Sequence, residues 1–129
     1  MTDQTTRTAL ERVGGKLAVE RATDLLYWWI KNDSDIYVRY FAGRDVNEIK
    51  GKLRAAIFTL LAALDRGDDL APLVRFLVDK HARLEITGPH SAAVRRYAHA
   101  AFLVVQTPDD MMATLVPILC ILEEALVSA

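Results

Sequence analysis

The sequence predicts an all-α fold. Apolar residues recur at spacings of three and four from one end of the chain to the other. Alternating β-branched runs bounded by hairpin dipeptides are nearly absent, and Gly, Pro and Asn-Asp-Ser clusters break the pattern at helix-length intervals. At 129 residues and 52% hydrophobic content, a single domain over residues 1–129 is expected. One core can then bury roughly two thirds of the surface that the unfolded chain exposes.

A short first helix, about Thr8 to Val13, stops at Gly14-Gly15, where paired glycines allow a sharp corner. A second runs from about Leu17 to Lys31 with Val19, Ala22, Leu26 and Ile30 on one face. Asn32-Asp33-Ser34 ends it, and Ile36, Tyr37, Tyr40 and Phe41 form a short apolar turn closing at Gly43. Asp45 then caps a third long helix, Val46 to Leu64, with Val46, Ile49, Leu53, Ala56, Ile57, Leu60 and Leu64 inward and Lys50, Lys52 and Arg54 towards its edges. After a loop at Asp65 to Asp69, a helix begins near Leu70 with Pro72 in its first turn and fades by Ile86. Thr87-Gly88-Pro89 is read as the next break. Two long helices follow, His90 to Val105 and Asp109 to Val127, an antiparallel pair separated by Thr107-Pro108, with Pro117 expected to kink the second or to sit where a neighbour tolerates the lost hydrogen bond. No repeat or linker appears, so the elements pack into one compact helical sandwich.

Sixteen basic residues stand against 17 acidic ones, net charge -1, without a basic block, which argues against a nucleic-acid partner. The single cysteine, Cys120, excludes an internal disulfide and fits a reducing compartment. Flanked by Leu119, Ile121 and Leu122, it is expected to be buried packing. Met1 to Arg7 lack an apolar signal core, and the run Leu115 to Leu122 is too short to span a bilayer, so a cytoplasmic, non-membrane protein is expected.

The candidate site begins at His81. Leu73, Val74, Leu77, Val78 and Leu84 share its helical stripe, while Arg75, Asp79, Lys80 and Arg83 face water, so the imidazole is expected to point inward. A lone core histidine satisfied by a carbonyl is the plainer alternative to a metal ligand. Trp28 and Trp29 are adjacent, so at least one ring must face away from the local core and marks a candidate contact surface.

An ordered series runs through the chain: Gly14-Gly15, Leu26-Tyr27, Tyr40-Phe41-Ala42-Gly43, Lys50-Gly51-Lys52, and the heptapeptide from His81 to Thr87, HARLEIT. Over roughly Ala9 to Ala125, and with Pro108 in the last interhelical turn, it resembles the truncated haemoglobins, most closely their group I, whose fold is the two-on-two globin sandwich. The resemblance implies haem b, with His81 as the proximal iron ligand. Phe41 matches the aromatic wedged against the haem, and Tyr27 the distal tyrosine that donates to O₂; Tyr27 as plain core stays open. Ile49, Lys52 and Leu53 fall at distal positions, where Ile49 and Leu53 cannot donate hydrogen bonds, so faster O₂ release than in two-donor members is expected. Leu77 and Val94 join the haem-lining set. Lys52 has two readings, a partner for a haem propionate or a distal amine ligand, of which the first is the expectation.

The resemblance further implies a diatomic gas ligand (O₂, NO or CO), NO dioxygenase-type activity, a reductase partner, and a monomer or weak homodimer. An apolar gas tunnel along Val94, Ala98, Ala101 and Leu115 is one reading of those residues, and close packing is the other. Two departures stand out: Ser91 replaces a common phenylalanine, and about five residues are added before His81, which reads as extra helix. His90 is expected at the surface or as a cap, and His99 in a structural role. The competing reading is a haem-free globin-like signalling or dimerisation module. A peroxidase is disfavoured, because no distal histidine and arginine pair is present.

Overall fold

A computed structural model describes residues 7–128. The expectation about a signal core at Met1 to Arg7 therefore falls almost wholly outside the described residues. The molecule is all-helical, with helix over 82% and no strand among the described residues.

Helix α1 (Ala9–Arg12) opens with a reciprocal cap: Thr8 Oγ1 accepts from the Glu11 N–H at 3.1 Å, and the Glu11 carboxylate accepts from the Thr8 N–H at 2.9 Å. Gly14 and Gly15, at φ 110° and 88°, turn the chain into α2 (Lys16–Lys31). This helix buries Val19, Ala22, Thr23, Leu26, Tyr27 and Ile30. Asp33 caps the short α3 (Ser34–Ile36), which widens into a π-helical turn, Tyr37–Phe41, closed by the Ala42 N–H on the Tyr37 carbonyl at 2.9 Å. Asp45 Oδ1 accepts from the Asn47 and Glu48 N–H groups to start α4 (Val46–Arg66). That helix ends at Gly67, left-handed at φ 68°.

Helix α5 (Ala71–His81) passes through a 3₁₀ turn, Ala82–Leu84, and Glu85 at φ 51° redirects the chain. Helices α6 (Gly88–Val104) and α7 (Asp109–Ser128) complete the fold. Helix α2 packs against α4 on one side and α6 on the other; α6 packs along α7, α5 lies on α7, and α1 lies on α4. The result is two helix pairs, α2/α4 and α6/α7, stacked through α2 and α6.

Polar ties lock the layers. Asp24 accepts from Lys50 Nζ at 3.0 Å and lies 3.7 Å from Arg54 of α4. Arg95 of α6 pairs with Glu123 of α7 at 2.7 Å, and Ser91 donates to the Glu123 carbonyl at 2.9 Å. Among the described residues no helix is long and apolar enough to cross a membrane.

Four expectations change. Cys120 is exposed rather than packed, because α7 turns Leu115 and Ile118 inward and carries Cys120 to the opposite side with Pro117. Gly88-Pro89 open α6 instead of breaking the chain, since proline in the first turn has no helical N–H to lose. Helix α4 runs two residues past Leu64, until a left-handed glycine stops it. His90 is neither a free surface residue nor a cap; its partner is described below.

Candidate functional site

His81 is the last residue of α5, and its Nδ1 lies 2.6 Å from the Leu77 carbonyl oxygen, one turn earlier. A carbonyl oxygen can only accept, so Nδ1 carries a proton and donates it, and in the neutral form of the ring Nε2 is the nitrogen with the lone pair. This arrangement selects one tautomer and fixes the ring plane, as a histidine ligand requires. The stripe expected to be buried is instead half-buried: Leu73, Val74, Leu77, Val78 and His81 all keep partial exposure. Helix α5 has no fully buried residue.

Part of the stripe, Leu73, Val74 and Leu77, borders a cavity. An apolar space of about 110 Å³ is enclosed by Leu26 of α2, Leu53 and Ile57 of α4, Leu73, Val74 and Leu77 of α5, Ala98 and Ala101 of α6, and Leu115 and Ile118 of α7, among other residues. Apolar cavities of this order stay dry and admit small apolar molecules. The space is smaller than the roughly 300 to 1,000 Å³ of a typical organic-ligand pocket. A larger guest requires α5 to move away from α4, and α5 is the helix of that length least anchored by burial.

Tyr27, which with Phe41 and His81 lies outside the cavity lining, is 9% exposed and meets Phe41 edge-on, with ring centroids 5.8 Å apart at 84°. Its hydroxyl makes no hydrogen bond among the described residues, and burial pushes its pKa up to about 12. The phenol therefore keeps its proton across the physiological range and has it free to donate.

The other site residues are spread more widely. Leu53 and Leu77 face each other across the cavity. Ile49 and Val94 are half-buried against the core without lining the cavity. Lys52 is 75% exposed and sits 3.5 Å from Glu48 on the outer face of α4. Of the four residues read as a gas path, Ala98, Ala101 and Leu115 line the cavity and Val94 does not. His99 is half-buried with no hydrogen-bond partner among the described residues. No cluster of three or more His, Cys, Asp or Glu able to hold a metal ion occurs among the described residues.

One polar network escapes sequence reasoning. Tyr40, 8% exposed in the π-helical turn, accepts from the Thr87 N–H at 3.2 Å and from Arg39 Nε at 3.1 Å. With both lone pairs used, its own proton goes to His90 Nδ1, 3.0 Å away. Arg39 also donates to the Glu85 carbonyl at 3.1 Å. This network ties the turn after His81 and the start of α6 to the Tyr37–Phe41 segment. Nearby, Tyr97 donates to Asp33 Oδ2 at 2.6 Å. That bond holds the Asp33 carboxyl below its usual range and raises the Tyr97 phenol. Only the tyrosine-rich segment 37–41 hints at this in sequence, because the partners lie about 50 residues away.

No protein-family model, no curated protein and no solved structure matches the chain.

Proposed function

We propose that the chain is a haem b protein of the truncated, two-on-two globin type that reversibly binds O₂ or another diatomic gas. The observation that carries the reading is the Nδ1 of His81 on the Leu77 carbonyl at the end of α5, which leaves Nε2 as the ring nitrogen without a partner among the described residues. The stacked α2/α4 and α6/α7 pairs, with an apolar space between α4 and α5, support it. When bound, the haem iron supplies the affinity for O₂, CO or NO.

The chain's own residues have separable tasks. His81 Nε2 would hold the iron, and the Leu77 carbonyl keeps that imidazole in one tautomer and orientation. Leu53, Leu77 and Ile57 keep the space dry. Tyr27 holds its proton on the hydroxyl and would donate it to a bound gas, while Phe41 meets its ring edge-on. Ile49 and Leu53 add no donor, so polar stabilisation of a gas rests on Tyr27 alone.

Titration of the purified protein with haemin tests the reading. One equivalent taken up, with a Soret band that sharpens and shifts on reduction and CO addition, is the expected result. The small volume of the space as it stands favours the haem-free module as the second reading. Free haemin recovered quantitatively after desalting makes that reading the better one.

A further inference from the structure

A different face of the molecule, remote from the iron question, has its own pattern. Along the outer stripe of α2, Leu17, Arg21, Asp24 and Trp28 succeed one another at helical spacing. Leu17 is 56% and Trp28 61% exposed. With Val104, itself 57% exposed, they border an open groove of about 930 Å³ between α2 and the α6–α7 turn. Exposed tryptophan and leucine flanking a groove is the composition of a contact surface.

The order of the four residues identifies the occupant. Apolar, cation, anion, apolar becomes its own complement when the helix is laid antiparallel on a copy of itself. Leu17 then faces Trp28 of the partner subunit, and four residues inward on both helices Arg21 faces Asp24 of the partner subunit. Both matches occur in one register, and the two-fold axis repeats each, as an isologous interface requires. Arg21 is exposed and has no ion-pair partner among the described residues, so its charge is free for this use. Asp24 is held by Lys50 and Arg54 but keeps 57% of its side chain exposed. Its carboxylate thus has room for a further guanidinium.

We propose that α2 is a homodimerisation surface on which a second copy docks antiparallel, with Leu17 against Trp28 and Arg21 against Asp24 across the two-fold axis. Charge swapping tests it on the full chain by sedimentation velocity over a concentration series. Wild type is expected to dimerise. Arg21→Asp places two carboxylates opposite each other at both ends and weakens association at least about tenfold. Asp24→Arg does the same with two cations. An equimolar mixture of the two variants restores both pairs and is expected to dimerise near the wild-type concentration. Circular dichroism of each variant checks its fold, since Asp24 also ties α2 to α4. Should Asp24→Arg not fold, Trp28→Ala, expected to weaken the dimer about 30-fold, provides the second arm. Wild type monomeric throughout, Arg21→Asp without effect, or a mixture of folded variants that stays monomeric each overturns the proposal.

Discussion

Removing a single oxygen, by Tyr40→Phe, probes the polar network around the turn after His81. The ring is nearly buried and stays in place, including its edge-on contact with His90 at 5.4 Å between centroids, so packing is unchanged. What is lost is the acceptor for the Thr87 N–H at 3.2 Å and the donor to His90 Nδ1 at 3.0 Å. A neutral hydrogen bond contributes about 1 kcal/mol net, and an orphaned part-buried backbone donor costs about 1 to 2 kcal/mol. Arg39 reaches solvent and recovers its bond to water. The sum is about 2 to 3 kcal/mol, measured as the shift in urea-unfolding free energy at constant slope. Amide exchange at Thr87 should accelerate in parallel, since the variant frees that N–H directly. A loss below about 0.5 kcal/mol with Thr87 exchange unchanged refutes the network as a stabilising device.

Three further outcomes follow from the same geometry. Tyr97→Phe removes the 2.6 Å bond to Asp33 and is expected to destabilise by about 1 to 2 kcal/mol near neutral pH, discounted for exposure. Asp33 is depressed in the folded state, so its contribution is present above its unfolded pKa and lost as pH falls through the lower folded value. Tyr97 is raised, so its contribution is lost as pH climbs past the usual tyrosine range. Urea melts at several pH values should therefore show wild type and variant converging in strong acid. In the haem-loaded protein, Tyr27→Phe should speed O₂ release by about 5- to 100-fold while changing CO release much less, because only the polarised ligand uses the donor. Lys52→Ala should leave the ferric spectrum unchanged from pH 6 to about 10, given the exposed side chain and its Glu48 partner; a spectral transition lost in the variant contradicts that.

The long helices were legible because their periods are strong: Val19, Ala22, Leu26 and Ile30 predict the buried face of α2 and do form it. Breaks set by local chemistry, such as Gly14-Gly15 and the Asp45 cap, were equally readable. Phase within a uniformly apolar run was not. Cys120 has apolar neighbours in sequence, but residue 120 is turned away from the core by the helix that buries Ile118. Partners distant in sequence were also hidden: nothing local in His90 announces Tyr40, nor anything in Tyr97 the Asp33 carboxylate. His81 was singled out from its stripe, yet its half-buried state depends on how α5 sits on the other helices, which its local sequence does not encode. Trp28 and Trp29 behaved as adjacency demands, one ring outward and the other against Tyr97 at 6.1 Å.

The central claim is that Nε2 of His81 is the iron-holding atom, and the most direct test is the visible spectrum of haemin-loaded His81→Gly with and without added imidazole. The account expects the variant to lose the five-coordinate histidine signature in its ferrous state, and free imidazole to restore it by occupying the vacated space. A wild-type spectrum retained in His81→Gly, or a loss that imidazole does not reverse while the fold persists, contradicts it.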